Sequence, residues 1–457
     1  MPAPETSPRP SDRGLPDLLA DPGPNSALPI SDDEFARAMA PLGPYEPAPL
    51  LAVAVSGGPD SMALALLAGR WAAARRGAAV ALLVDHRLRA ASGGEAATAA
   101  RALAPFAIAA KRMTVTAPPP AAGIPEWARD ERYRLIDAAA QGIGALHVLL
   151  GHHAGDQAET VQMRQGRGSG VKGLAGMRPV RRGPAVRYLR PLLAFSKLRL
   201  GATAAAAGLP VADDPSNRDP AYTRTRVRAA LGSGGGASLA AVAARMAVED
   251  DALEAALAGL VARSVAFSPT GAVAIDRRAL LAAPETLALR LLMRAAHAAG
   301  GRADPPRQAR AAALLAALRE AADCRRTLGR ARVVARDGVI QLWREPAPPP
   351  RPETLPAGLW DGRFRYRASP TMPPGAVVDA IGYLGLRQAE AADWTPAWVG
   401  QAPRQALAAL PGLWLDGCLT ALPNLAETRG NSGLSASEAG SLCLWARFCP
   451  ERPLAPC

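Results

Sequence analysis

Three short apolar runs, each closed by a cluster of polar residues, constrain this chain more than any other feature. They are Leu50 to Val55, Ala79 to Val84 and Leu146 to Leu150. The first runs into Ser56-Gly57-Gly58-Pro59-Asp60-Ser61, the second into Asp85-His86 and the third into Gly151-His152-His153. Helical spacing is expected from the first cluster to about Arg76 and over Ile124 to Ala140, with Ala107 to Val115 a weaker strand candidate. Strands alternating with helices predict β-α-β units, so the expected class is α/β, a parallel sheet with helices on both faces. In such sheets ligands bind at the carboxyl ends of the strands. All three polar clusters fall there, so they are expected to converge although far apart in sequence.

The flanking regions read differently. Residues 1 to about 30 are rich in Pro, Ser, Gly and Asp and are expected to form a disordered leader. Ser31-Asp32-Asp33-Glu34 then starts a capped helix with Phe35 and Met39 on one face. The first domain is expected over 49–232, after a leader and short helix over 1–48. Gly232-Ser233-Gly234-Gly235-Gly236 reads as a linker to a mainly helical region over 233–345. There Leu239, Val242, Met246, Leu253, Leu257 and Leu260 mark one apolar face, and helices are expected near Pro284 to Ala298 and Arg307 to Ala322. Thr327 to Trp343 has the pattern of a hairpin turning at Asp337-Gly338. A Pro-rich stretch, Pro346 to Pro352, introduces a small α/β or β-rich C-terminal domain over 346–457.

Composition narrows the partners. The formal net charge of +13 points to a polyanion such as nucleic acid. Only Lys111, Lys172 and Lys197 are lysines, so the charge is nearly all arginine, and compositional drift in an Ala-, Gly- and Pro-rich chain is the competing explanation for part of it. The cysteines, Cys324, Cys418, Cys443, Cys449 and Cys457, include no C-x-x-C pair, which argues against a zinc site or a disulfide framework. A reducing cytoplasm fits best. No run of about 18 apolar residues is present, so no membrane span is expected.

The chemistry sits in the polar clusters. In Ser56 to Ser61 two glycines allow a tight turn whose N–H groups face an anion, with a helix N-terminus behind them. Asp60 would repel bare phosphate but suits a carboxylate that holds Mg²⁺ against it. The G-K-[ST] ending of a Walker loop is absent. Across Gly151-His152-His153-Ala154-Gly155-Asp156-Gln157-Ala158-Glu159-Thr160, the spacing of His152, Asp156 and Glu159 places them on one helical face. That face would bind Mg²⁺, an ammonium group or both. Arg224, Arg226 and Arg228, after Asp213-Asp214-Pro215-Ser216-Asn217, form a candidate phosphate clamp, and Arg129 with Arg132-Tyr133 forms another basic element.

S-G-G-x-D-S after a strand resembles the PP-loop of the N-type ATP pyrophosphatases, which split ATP into AMP and pyrophosphate and use AMP to activate a substrate oxygen. The remaining motifs follow in the order of the bacterial tRNA(Ile)-lysidine synthase family: V-D-H-x-L-R (Val84 to Arg89), A-R-x-x-R-Y, H-H-x-x-D-Q-A-E-T, R-G-S-G (Arg167 to Gly170), G-L-A-G-M (Gly173 to Met177), D-x-S-N and R-x-R-x-R. The resemblance covers about residues 30 to 230 and continues more weakly to about 345, where Arg326-Thr327-Leu328-Gly329 precedes the hairpin. Gly155 is a departure, since the family often has a second Asp there.

The resemblance implies ATP-dependent joining of free L-lysine to the wobble cytidine of tRNA(Ile) with a CAU anticodon, through an adenylated cytidine. It implies that Ser56, Gly57, Gly58, Pro59, Asp60 and Ser61 hold phosphate, that Asp60 and Asp156 hold Mg²⁺, and that Asp85 and His86 border the nucleoside. Asp156 and Glu159 would face the lysine ammonium, His152 would assist proton movement, and Arg129 and Arg224 would balance negative charge. The helical region would grip tRNA, and a homodimer is left open.

Two enzymatic rivals are weaker on the residues. A PP-loop tRNA thiolase needs cysteines near its catalytic domain, and the first here is Cys324. An amidotransferase synthetase needs a glutaminase domain with a nucleophilic cysteine, and none is visible. A non-catalytic RNA-binding protein with a degenerate loop conflicts with the intact Asp60, Asp156 and Glu159.

Overall fold

The computed structural model describes residues 27–88, 92–183, 186–210, 227, 235–301, 304–346, 352, 354, 357–368, 374–391, 402–424 and 444–448. The basic run with Arg224, Arg226 and Arg228 lies outside the described residues, as do the leader through residue 26 and Gly232 to Gly234. The chain divides into two compact units, Met1–Asp250 and Asp251–Cys457. The division falls inside a long helix, Gly235–Ser264, which takes in the last two glycines of the expected linker.

The first unit is built on six strands: β1 (Leu50–Val55), β2 (Ala78–Asp85), β3 (Ala109–Thr114), β4 (His147–Leu149), β5 (Val180–Arg182) and β6 (Arg187–Leu189). Their order is β3-β2-β1-β4-β6-β5. The β3–β2–β1–β4–β6 pairings are all parallel, and only β5 runs antiparallel, against β6. Strand β1 lies between β2 and β4, the point at which the chain order reverses, so the crevice of a doubly wound sheet opens above their carboxyl ends. The expected strands and helices of this region are observed. The β5–β6 hairpin was not anticipated, because two three-residue strands carrying Arg181, Arg182 and Arg187 give no apolar run.

Alternation along β1 covers both faces of the sheet. Leu51, Val53 and Val55 pack with Leu83, Met62, Leu66 and Leu200, while Ala52 packs with Leu82, Ile136, Val148 and Tyr188 on the other side. Helix α2 (Pro59–Ala73) is buried nearly all round, from Ser61 through Ala68 and again at Trp71 and Ala72. Each fully buried Leu there contributes about 1.5–3 kcal/mol of transfer free energy. Strand β3 is an exposed edge, and Lys111 and Arg112 on it discourage pairing with another chain.

The N-terminal helix α1 (Asp32–Met39) starts at Ser31 in a capping box with Glu34. Glu34 also receives both Nη atoms of buried Arg199, at 2.9 and 2.8 Å. Arg199 further donates to the carbonyls of Leu28 and Pro29. Its guanidinium holds the Glu34 carboxyl down to about 2.

In the second unit the helical region carries more sheet than its spacing suggests. Strands β7 (Val265–Phe267), β8 (Val273–Asp276), β9 (Cys324–Leu328), β10 (Ala331–Arg336) and β11 (Val339–Arg344) form one antiparallel sheet, ordered β7-β8-β11-β10-β9. The expected hairpin is its β10–β11 centre, turning at Asp337 and Gly338 with φ of 51° and 76°. Helices Glu285–Gly300 and Gln308–Glu320 pack on it near the expected positions. The tail holds two further small sheets around Trp360, Phe364, Tyr366 and Leu413: one of Ala357–Trp360, Phe364–Ala368, Leu444–Phe448 and Pro423–Asn424 in that order, the other of Val377–Ala380, Pro411–Leu415 and Cys418–Ala421. Near their start Asp361 meets three arginines: Arg344 Nε at 2.7 Å, Arg363 Nε at 3.2 Å and Arg330 Nη1 at 3.7 Å.

Candidate active site

Between β1 and α2 the loop is closed by its own serines. Ser61 Oγ donates to the Gly58 carbonyl at 3.0 Å and accepts the Ser56 N–H at 3.1 Å. Gly57 takes a φ of 88°, which a side chain would strain, and Gly58 caps the helix with Pro59 in its first turn. The loop is thus hydrogen-bonded within itself, and the helix N-terminus behind it favours an anion. Asp60 sits in that first turn.

At the end of β4 the chain starts α5 (Ala154–Gln165). The helix is capped by His153, not His152. His153 Nδ1 accepts the Gly155 N–H at 2.9 Å, and Asp156 Oδ2 accepts the His153 N–H at 3.1 Å. His152 precedes the cap, so it does not share the helical face of Asp156 and Glu159. Its Nδ1 instead accepts from Arg190 Nε at 3.2 Å. Glu159 is buried one turn along α5 from Asp156.

His153 brings the first two clusters together. Its Nε2 lies 3.8 Å from Asp60 Oδ2 and 3.7 Å from Asp156 Oδ2. Asp60 on α2 and Asp156 on α5 therefore face one point, as the sequence leads one to expect for neighbouring strand ends. Among the described residues no group of three or more His, Cys, Asp or Glu side chains is arranged to cage a metal. Two carboxylates nevertheless suit Mg²⁺, which commonly takes one or two from protein and the rest from phosphates and water.

Two more of the expected residues stand at the carboxyl end of β2. Asp85 ends β2, and its Oδ1 accepts the Arg87 N–H at 2.8 Å. His86 Nε2 accepts from Arg132 Nε at 3.3 Å. Burial and the Arg132 charge lower the His86 pKa, so the ring is neutral at pH 7. Arg129 lies on helix α4 (Ile124–Gly142), 5.0 Å from the Tyr133 ring centre.

Sequence reasoning missed three residues here. His153 caps the helix and touches both carboxylates. Its signal was the box spacing to Asp156 three residues on. Arg181 stacks between Tyr133 and Tyr188, 4.7 and 4.4 Å from their ring centres. Arg190, whose pKa burial lowers, donates to His152 and, at 2.7 Å, to the Arg178 carbonyl. Arg181 lies on β5 and Arg190 directly follows β6, so recognising this hairpin would have drawn both to notice. The loop after α5 is pinned to that helix. Gln157 exchanges two hydrogen bonds with Met177, and Arg164 Nη1 donates to the carbonyls of Gly173 and Gly176.

Residues 30–233 match the family model of a PP-loop domain, which defines the class: an ATP-using enzyme. Similar curated proteins are more specific. The tRNA(Ile)-lysidine synthase of Bradyrhizobium sp. is 43% identical over 59% of this chain and 78% of its own. That of Mesorhizobium japonicum is 36% identical over 88% of this chain and 89% of its own. The chain belongs to the tRNA(Ile)-lysidine synthase family of ligases. Among solved structures, a U34-tRNA thiolase from Methanococcus maripaludis aligns with a TM-score of 0.40 and 17% identity, over 47% of this chain and 77% of that one. Among the described residues no helix is long and apolar enough to cross a membrane.

Proposed function

We propose that this chain joins free L-lysine to the wobble cytidine of tRNA(Ile) with the CAU anticodon, using ATP and releasing AMP and pyrophosphate. The observation that carries this reading is the meeting of Asp60 and Asp156 around His153, beside a preformed anion loop. In the first step the cytidine carbonyl oxygen attacks the α-phosphorus and pyrophosphate leaves. In the second the lysine ε-amine attacks the ring carbon, the carbon–oxygen bond to AMP breaks, and the amine proton is lost.

The chain's residues divide this work. Backbone N–H groups of Gly57 and Gly58 and of the first turn of α2 would hold phosphate, with the Ser56 N–H engaged within the loop, and Asp60 and Asp156 would hold Mg²⁺. That ion would screen phosphate charge while pyrophosphate departs. Asp85 and His86 border the nucleoside, and neutral His86 would offer hydrogen bonding without repelling a cation. Asp156 and Glu159 face the lysine ammonium. His152, its Nδ1 engaged by Arg190, presents Nε2 for proton movement. Arg129, with Arg181 and Arg190, supplies positive charge for the lysine carboxylate or a phosphate. Arg224 has the same role by family resemblance. The arginine-rich helical region supplies tRNA phosphate contacts.

The test is incubation of tRNA(Ile) with ATP and radiolabelled lysine, then digestion to nucleosides. Label is expected in one modified nucleoside, and only with ATP present. Label-free nucleosides, or turnover driven by a sulfur donor or glutamine, would refute the reading.

A further inference from the structure

We propose that His153 is a positioning residue whose imidazole, seated between Asp60 and Asp156, holds the two carboxylates at the separation that receives Mg²⁺ and nucleotide. This rests on the reading of those carboxylates as the metal-holding pair. The ring is 4% exposed, and its orientation is fixed. Because Nδ1 accepts the Gly155 N–H, it carries the lone pair, so Nε2 carries the proton and directs it between the carboxylates. The two distances, 3.8 and 3.7 Å, differ by little and exceed direct hydrogen bonding. The imidazole therefore acts as a spacer and a shared positive dipole end for two like charges, not as a clamp on either.

The departure at Gly155 acquires a reason. A Cβ there would stand 2.7 Å from His153 Cε1 and 3.0 Å from Nδ1. In this chain the ring lies where a side chain at position 155 would require it to shift. Gly155 and His153 form one unit, and an aspartate at 155 would push the imidazole off its seat.

The test uses the full chain, a non-hydrolysable ATP analogue and a Mg²⁺ titration, read by calorimetry without turnover. His153→Asn retains a good helix cap and removes the spacer. Its Tm should stay within about 2 °C of wild type. Analogue affinity with Mg²⁺ should fall about tenfold, as for loss of a residue that orients metal ligands. Gly155→Ala keeps the imidazole but displaces it, and should weaken binding similarly. The double variant should bind no more weakly than either single one, because the ring that clashed is gone. Wild-type affinity in His153→Asn, with binding lost in Asp60→Asn, overturns this inference and leaves the carboxylate reading intact. Wild-type affinity in Asp60→Asn overturns both. Should His153→Asn fail to fold, wild-type affinity in Gly155→Ala would overturn the inference.

Discussion

Two clusters of charge, one in each unit, are treated in opposite ways. In the crevice of the first unit, Asp60 and Asp156 keep 26% and 23% of their side chains exposed, and one small imidazole separates them. In the second unit Asp361 is 4% exposed, against Arg344 at 0% and Arg363 at 1%. Arg363 also donates to the Ala409 carbonyl, and burial lowers its pKa to about 10 despite the carboxylate beside it. Charges left open to solvent can exchange water for a ligand. Sealed charges exchange nothing with solvent, so they serve the packing of the tail against the five-stranded sheet. Proximity of ionisable groups does not separate a site from a joint, whereas access does.

That contrast is breakable. The largest effect is expected for Asp361→Asn, which leaves buried guanidiniums without their shared counter-charge. It should cost about 3–5 kcal/mol in urea unfolding followed by tryptophan fluorescence; a midpoint equal to wild type would mean the joint carries no stability. Asp60→Asn should act in the reverse sense, leaving the midpoint unchanged and lowering lysine incorporation at least about 100-fold, or ~2.7 kcal/mol of barrier. An accompanying loss of stability would show that the crevice carboxylate is structural.

Glu34 lies between the two cases, a partly accessible carboxylate on a buried arginine. Its pKa is depressed, so the stabilisation is complete above the ordinary carboxyl range and is lost as pH falls toward about 2. Glu34→Gln should cost about 1.5 kcal/mol at neutral pH, and its stability should vary less than wild type between pH 5 and 2. Equal slopes would remove the pair from the ledger. The smallest effect belongs to the exposed pair Arg336–Asp337, 3.2 Å apart with both side chains mostly in solvent. Arg336→Ala should leave the urea midpoint where it is.

How legible these features were depends on burial. Strands β1, β2 and β4 are apolar because both sheet faces are covered, so they stand out. Strands β5 to β8 are short, and Arg181, Arg182 or exposed Phe267 break their pattern. The crevice was legible as a set of strand ends, and the structure brings Asp60 and Asp156 to one imidazole there, with Asp85 at the end of the neighbouring strand. Residue spacing misled at His152, since counting helical positions from it assumes the helix has already begun. The extended backbone at His153, φ −122° and ψ −179°, starts the helix at Ala154. In the tail, Asp361 and its arginines come from separate strands and a turn, a convergence with no local signature.

The Arg199 clasp on α1 also has a consequence in time. Glu34 and Arg199 are separated by 165 residues. At about 5–20 residues per second, a ribosome needs on the order of ten seconds or more between making one and making the other. Through that interval the first helix has its own cap but not its clasp, and Phe35 and Met39 lack the packing that buries them later. The earliest segment of the domain to emerge is thus among the last to be secured, and completion of the nucleotide-binding unit waits on the arrival of α7 (Lys197–Ala206).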